Sequence, residues 1–174
     1  MKVETYTIEG YQGKERGALI AENEEWILVK HIPIDYVIDG YRVYKKKYIK
    51  KRKSKTKEEK IARVLKLKNI RLERPANFKF GNDLEMLAWS EQTYGLFEFQ
   101  DNDTELFYGT ICATADTNFI INMIKANGKI IPEYDYEFTT EEIQVIAFES
   151  DYFESIRLLM NDELKRSPKL KKIS

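Results

Sequence analysis

The stretch from Tyr41 to Leu65 constrains the fold most, because it places a strand, a polar turn and the start of a helix in direct succession. Its tyrosines and Val43 are residue types enriched in strands. Thr56 precedes Glu59 at the spacing of a capping box, in which a hydroxyl and a carboxylate each satisfy a free amide at a helix start. Apolar residues then follow at helical spacing. The sequence therefore predicts a strand that leads into a short capped helix.

The same layout returns 95 residues further along the chain. Asp151 and Glu154 repeat the capping spacing, and apolar residues again follow at helical spacing. Further upstream, Gly17 and its three following residues match the stretch that begins at Gly95, at a different offset. Strands followed by a capped helix in both halves indicate duplication. Coincidence is the alternative, since a capping box before an apolar run is a common pattern.

Strand signals fill most of the remaining sequence. Asp39-Gly40 is a turn pair, and it predicts a hairpin between residues 36–38 and 41–44. Asn82 is expected to cap a short helix. The chain from 71 to 80 contains Pro75 and few strand signals, so we expect a first domain over residues 1–80 and a second over 81–174.

Length and composition limit the class of protein. The 174 residues fit one ordinary domain or two small ones. A single cysteine, Cys112, excludes an internal disulfide framework, and no apolar run has membrane-spanning length. The first residues are strand-like and do not resemble a secretory signal. We therefore expect a cytoplasmic protein that does not associate with a membrane.

One run in the second half carries a family resemblance. Between Phe107 and Asn122, a hydrophobic strand contains Gly109 and Ile111, and a turn with Asp116 and Asn118 leads into an apolar strand. This pattern resembles the first Sm motif of the Sm/Hfq-like small barrels. The resemblance implies a mainly β fold of two tandem Sm-like (SH3-like) small barrels, each followed by a short α-helix. A single α+β domain is the alternative.

The first half carries the pattern less completely. Residues 26–44 are similar, with Lys30 at the position of the glycine. The family's second motif, an Arg-Gly or Lys-Gly pair before the last strand, is absent from both halves, and it contributes to uridine binding in the RNA-binding members. A helix over residues 151–165, after the last strand, makes the chain more similar to bacterial Sm-like proteins of unassigned role.

Charge is divided unevenly between the halves. Residues 1–81 hold 21 Lys/Arg and 11 Asp/Glu, whereas residues 82–154 hold 2 and 16, although the whole chain has a net charge of zero. Ten of the basic residues lie between Lys45 and Lys60. Such asymmetry indicates a partner for one half or attraction between the halves.

The basic run provides the candidate binding site. Lysines can follow a phosphate backbone while tyrosines stack on bases, so we predict a nucleic-acid interface within residues 44–57. Its predicted residues are Tyr44, Lys46, Lys47, Tyr48, Lys50, Lys51, Arg52 and Lys53. An acidic partner, within the chain or on another protein, is one alternative. A solvated edge strand protected by its lysines is another.

No catalytic constellation, metal site or cofactor motif is predicted. His31 is interpreted as a strand histidine at the edge of the core, and Cys112 as a buried, inert thiol. Five carboxylates are interpreted as a solvated hairpin: Glu133, Asp135, Glu137, Glu141 and Glu142. The expected function is that of a non-catalytic binding module, with RNA or another nucleic acid as ligand. The alternative is a protein-interaction or self-assembling scaffold that forms homo-oligomers.

Overall fold

A computed structural model describes residues 1–167 of the chain. Its strands are β1 (Val3–Ile8), β2 (Glu15–Glu22), β3 (Trp26–His31), β4 (Tyr41–Lys45), β5 (Ile49–Lys53), β6 (Phe97–Gln100), β7 (Leu106–Ala115), β8 (Asn118–Ile124), β9 (Ile130–Ile131), β10 (Phe138–Thr139) and β11 (Val145–Phe148). Its helices are α1 (Thr56–Leu67), α2 (Asp83–Tyr94) and α3 (Asp151–Arg166). The expected β-rich class is confirmed. Within residues 1–167, no helix is both long and apolar enough to cross a membrane.

All eleven strands belong to one antiparallel sheet. Its order is β10-β8-β7-β6-β11-β4-β3-β2-β1-β5, and β9 also pairs with β8. When β9 is left out and the remaining five strands of each half are numbered in chain order, both halves have the strand order fifth, first, second, third, fourth. The halves meet where β4, the fourth strand of the first half, pairs with β11, the fifth major strand of the second.

The second strand of each half has the same local construction. In β2, Gly17 is followed by a register shift at Ile20, and in β7, Gly109 is followed by a register shift at Cys112. A side chain on Gly17 would collide with Val29 on β3, and a Cβ on Gly109 would lie 2.8 Å from the Asn122 carbonyl oxygen on β8. Glycine therefore permits close approach of the next strand before each bulge.

This correspondence corrects two alignments made from the sequence. The structural equivalent of Gly109 is Gly17, and Lys30 lies on β3, one strand further along. Gly95 is not the equivalent of Gly17, because it ends α2 with a φ of +86°. Both errors have one cause, since similar apolar strands can be aligned to the wrong neighbour when their pairing is unknown.

The starts of α1 and α3 keep the predicted spacing, but the capping residue of each lies one position earlier than expected. Before α1, the amide of Lys55 donates to Glu58 Oε2 at 2.9 Å. Before α3, Ser150 Oγ accepts from the amide of Phe153 at 3.0 Å. The predicted cap of α2 is confirmed, because Asn82 Oδ1 accepts from the amide of Glu85 at 2.9 Å. Thr56 and Asp151 are thus the first helical residues and not the caps.

The predicted hairpin around Asp39-Gly40 is wrong. Residues 36–38 form no strand, and β4 pairs instead with β3 and β11. Gly40 has a φ of +66° and lies against the backbone of residues 148–150, where a Cβ would collide. The glycine therefore serves a contact between the halves that the local turn signal does not reveal.

The main hydrophobic cluster lies in the second half and extends across the junction. It contains seven buried phenylalanines of the second half, together with Trp26, Leu28, Tyr41 and Val43 from the first. Two smaller clusters fill the first half, one beneath α1 and one around Tyr6 and Tyr44. Residues 68–82 link α1 to α2 without a helix or strand, at the predicted position of the domain boundary.

Candidate functional site

The predicted basic interface occupies one end of the sheet and the connection that leads to it. Its residues come from the end of β4, from the 3₁₀ turn Lys46–Tyr48, and from β5. β5 pairs with β1 along one side, and among residues 1–167 no strand pairs with its other side. The backbone brings the predicted residues together, but their side chains point to different surroundings.

Tyr44 lies in the core. Its side chain is fully buried, and its hydroxyl donates to Glu15 Oε2 at 3.0 Å. Burial raises the pKa of Tyr44 well above its ordinary value, with a further contribution from the charge of Glu15. The ring therefore has no exposed face on which a base could stack.

Lys46 and Arg52 are both neutralised by Glu22 at the end of β2. Lys46 Nζ lies 2.7 Å from Glu22 Oε2, and Arg52 Nη1 donates to the same oxygen at 2.8 Å. Arg52 Nε also donates to Glu4 Oε2 at 2.7 Å. Hydrogen bonds from Arg52 and then Lys46 lower the pKa of Glu22 to about 2. These two cations are therefore already matched by carboxylates of the first half.

The remaining cations of β5 differ in their partners. Lys50 Nζ lies 2.9 Å from Glu9 Oε1, and Lys53 Nζ lies 3.9 Å from Glu58 Oε1. Lys51 is exposed and makes no ion pair within residues 1–167. Of the six predicted cations, only Lys51 is thus free of a carboxylate in the described part of the chain.

Lys47 and Tyr48 contact the acidic half. Lys47 Nζ forms an ion pair with Glu141, and the Tyr48 hydroxyl donates to the carbonyl oxygen of Glu141. Next to them, Lys45 Nζ lies 2.5 Å from Asp83 Oδ1 at the start of α2 and donates to the Thr140 carbonyl at 2.8 Å. Of the three consecutive lysines at positions 45–47, Lys45 and Lys47 therefore form ion pairs with the second half.

The Lys45–Asp83 pair is largely withdrawn from water. Burial lowers the pKa of Lys45 and raises the pKa of Asp83, while their mutual attraction opposes both changes. The pair lines a cavity of about 320 Å³ between the halves. Three lysines of the first half and four carboxylates, two from each half, line this cavity, so its walls favour neither an anion nor a cation.

At the opposite end of the sheet, β10 forms a short acidic edge. β10 pairs with β8, and the amide of Thr139, which points away from β8, donates to Glu142 Oε2 at 2.5 Å. The preceding loop carries Glu133, Asp135 and Glu137, all exposed. The five carboxylates that the sequence assigned to a solvated hairpin therefore surround β10.

The loop also borders a groove of about 750 Å³ that contains Cys112. Cys112 is exposed, so the prediction of a buried thiol is wrong. The physical reason is the β7 bulge, because Ile111 pairs with Ile121 and Ala113 with Ile120, which leaves Cys112 as the extra residue. A bulge interrupts the alternation of inward and outward side chains, so a residue in an apolar strand can still project into solvent.

Sequence reasoning missed a partly buried polar network on one face of the junction. Glu15 Oε2 lies 2.5 Å from Arg42 Nη1, 3.2 Å from His31 Nε2 and 3.0 Å from the Tyr44 hydroxyl. These bonds lower the pKa of Glu15 against the effect of its burial. His31 is buried on β3, as expected for a strand histidine. The four residues come from three strands, so no sequence spacing could indicate the network.

The described residues contain no group of three or more His, Cys, Asp or Glu side chains that could hold a metal ion. A scan of this chain against protein-family models finds no match, and no curated protein and no solved structure matches it.

Proposed function

We propose that the chain is a non-catalytic, self-assembling scaffold built from two tandem Sm-like small barrels, each ending in a helix. The observation that carries the proposal is the β4–β11 junction. There, the fourth strand of one half pairs with the fifth strand of the other through four consecutive residue pairs, from Tyr41–Phe148 to Tyr44–Val145. The two strands in the equivalent positions at the ends of the sheet are β10 and β5.

The free edges could therefore repeat the internal junction between copies. β10 of one copy would pair with β5 of the next, as β4 pairs with β11 within the chain. An open sheet edge presents unpaired amides and carbonyls that can accept another strand. Because the two edges differ, the contact is heterologous and produces a ring or a filament.

Charge selects this pairing over the two symmetric ones. β5 carries the exposed Lys51, which makes no ion pair within residues 1–167, and the surroundings of β10 carry exposed carboxylates such as Glu137. Two β5 edges would repel each other, and so would two β10 edges, whereas β5 and β10 attract. On pairing, the Thr139 amide would exchange its bond with Glu142 for a backbone bond. The lysines and this bond keep the free edges soluble and the association weak.

The test measures molecular mass by sedimentation equilibrium at rising protein concentration, in low and high salt. We expect the mass to exceed that of the 20.6 kDa chain at high concentration and low salt, and to fall as salt screens the edges. Lys51→Glu and Glu137→Lys should each weaken association about tenfold or more, and the double variant should restore it. A constant monomer mass, or a double variant weaker than both single variants, contradicts the proposal.

One observation keeps nucleic-acid binding as a second candidate. Four lysines are exposed on β5, at the residue before α1 and on α1, and they make no ion pair within residues 1–167: Lys51, Lys55, Lys57 and Lys60. They would contact phosphates without base specificity. Filter binding with mixed-sequence RNA should then weaken steeply with salt and be reduced by Lys51→Glu, Lys55→Glu and Lys57→Glu. Absent or salt-independent binding removes this candidate.

A further inference from the structure

Glu98 on β6 occupies an unusual position at the junction between the halves. Its side chain is 5% exposed, and within residues 1–167 its Oε2 atom has no hydrogen-bond partner. A buried polar oxygen without a partner is rare and needs an explanation. Burying a carboxylate is far more costly than burying the neutral acid, so the explanation begins with its charge.

The sheet register places Glu98 in line with Arg42. Both pair with Ala147 on β11, Glu98 from β6 and Arg42 from β4, so the three side chains lie on the same face of the sheet. The small methyl group of Ala147 leaves the space above β11 to its two charged neighbours. One residue from each half therefore meets across the strand that joins the halves.

Arg42 does not provide Glu98 with a counter-ion in close contact. Its Nη1 atom lies 2.5 Å from Glu15 Oε2, and within residues 1–167 Arg42 and Glu98 do not form an ion pair. The other groups that face Glu98 are Tyr108 on β7, Asp39 in the loop before β4, and Tyr11 in the loop before β2.

The remaining surroundings of Glu98 favour its neutral form. Tyr152 on α3 lies against Tyr108, with ring centroids 5.8 Å apart. Asp39 repels a charge on Glu98, and the Tyr108 hydroxyl and Arg42 only partly offset this and the loss of hydration. Burial is the largest effect on the pKa of Glu98 and raises it, while Tyr108 and Arg42 lower it and Asp39 raises it further.

We propose that Glu98 is a proton-linked latch between the halves, whose neutral carboxyl keeps β4 and β11 docked and whose ionisation loosens them. The sign follows from linkage. The folded state holds the proton of Glu98 more tightly than the unfolded state. Below the ordinary pKa of 4.5, Glu98 is neutral in both states, and its titration does not reduce the stability of the fold. Stability falls as the pH rises from that value through the raised pKa of the folded state. The latch belongs to the internal junction and does not depend on assembly between copies.

The test compares wild type with Glu98→Gln, which keeps the shape and removes the titration. Glu105→Gln, at an exposed position before β7, is the matched control. Urea unfolding is measured from pH 4 to pH 9. We expect the unfolding equilibrium constant of wild type to rise relative to Glu98→Gln by up to tenfold per pH unit above pH 4.5, until the raised pKa is passed. The control should follow wild type.

Two other outcomes overturn the proposal. If the ratio of the unfolding equilibrium constants of wild type and Glu98→Gln does not change with pH, Glu98 does not titrate in this range. A wild type that gains stability over Glu98→Gln as the pH rises means that Glu98 is ionised and held by Arg42. If Glu98→Gln does not fold, the carboxyl carbon of Glu98 is titrated in wild type by carbon-13 NMR. A titration midpoint at or below pH 4.5 contradicts the proposal.

Hydrogen exchange locates the effect at the junction. With the intrinsic pH dependence removed, amide exchange in β4 and β11 should accelerate with pH in wild type but not in Glu98→Gln. Exchange in the β7–β8 hairpin should be the same in both proteins. Equal acceleration in all strands would show that ionisation destabilises the whole fold and that Glu98 is not a latch.

Discussion

The first and sixth strands, β1 and β6, occupy equivalent places in the two halves, yet the side chains that pack around them differ. With Gly17 and Gly109 as the common reference, the register aligns Tyr6 on β1 with Phe99 on β6 and Glu15 on β2 with Phe107 on β7. Tyr6 and Phe99 are both fully buried. One strand order therefore encloses a polar network in the first half and a cluster of phenylalanines in the second.

This difference shows that the strand order does not require one kind of interior. In the second half, Phe99 packs with ring-centroid distances of 5.2–6.0 Å against Phe97, Phe107, Phe119 and Phe138. In the first half, the partly buried Glu15 on β2 is matched by donors on β3 and β4, His31 and Arg42. Apolar packing is tolerant of small shifts, whereas a buried ionic network depends on every partner. The two halves should therefore respond differently to substitution.

The largest effect is expected in the aromatic interior. Phe99→Ala removes a fully buried ring that contacts four others, so it should lower the free energy of unfolding by about 4 kcal/mol. Urea unfolding with tryptophan fluorescence measures the loss. Leu65→Ala, in the small cluster beneath α1, is the control in the first half and should cost less. An equal loss of unfolding free energy in Phe99→Ala and Leu65→Ala would contradict the expectation that the two halves respond differently to substitution.

The polar interior should depend on its central carboxylate. Glu15→Ala leaves Arg42, His31 and the Tyr44 hydroxyl without their common acceptor, so we expect a loss of about 2–3 kcal/mol. Glu24→Ala, at an exposed position after β2, should change stability by less than about 0.5 kcal/mol. The same urea unfolding measurement applies. Similar values for both variants would mean that the network contributes little.

The two bulges offer a comparison between equivalent positions. Ile20 is partly buried against the main cluster, whereas Cys112 is exposed. Ile20→Ala should therefore cost about 1 kcal/mol, and Cys112→Ala less than about 0.5 kcal/mol. The native protein should also react fully with a thiol reagent in the absence of denaturant. A thiol that reacts only after unfolding would contradict the bulge geometry.

The smallest effect concerns acid stability. The pKa of Glu22 is lowered to about 2 by Arg52 and Lys46, so its contribution is present above its ordinary pKa of 4.5 and is lost as the pH falls towards 2. Glu22→Gln should reduce stability at pH 7 by less than about 1 kcal/mol, because the pair is partly exposed. The difference from wild type should shrink as the pH falls below 4.5 and vanish below pH 2. A difference that persists there would indicate a structural cost of the substitution.

Part of this architecture could be predicted from local sequence. The cap at Asn82 is a local feature, because its partner Glu85 lies three residues away, and the spacing shared by the starts of α1 and α3 is local in the same sense. The opposite charges of the halves are a property of composition. Helix caps depend on residues within one helical turn, and the charge of each half depends on the number of charged residues. Both can be obtained from the amino-acid sequence alone.

The candidate site could not be predicted in the same way. The sequence shows a run of cations, but Lys47 is matched by Glu141, 94 residues away, and Arg52 by Glu22, 30 residues away. Tyr44 was predicted to stack on bases because it lies within the basic run, but it is buried. A strand presents alternate residues to opposite faces, and only the neighbouring strands decide which face is buried. Spatial pairing therefore determines which of the cations remain free.

The sequence by itself determined a β-rich chain with three short helices, two of them 95 residues apart, and a basic half followed by an acidic one. Only the tertiary structure decided that β4 pairs with β11, that Cys112 projects from a bulge, and that Glu98 lies buried beside Ala147. The physical reason is that propensity and capping act over a few residues, whereas strand register and the burial of a charge depend on strands from distant parts of the chain.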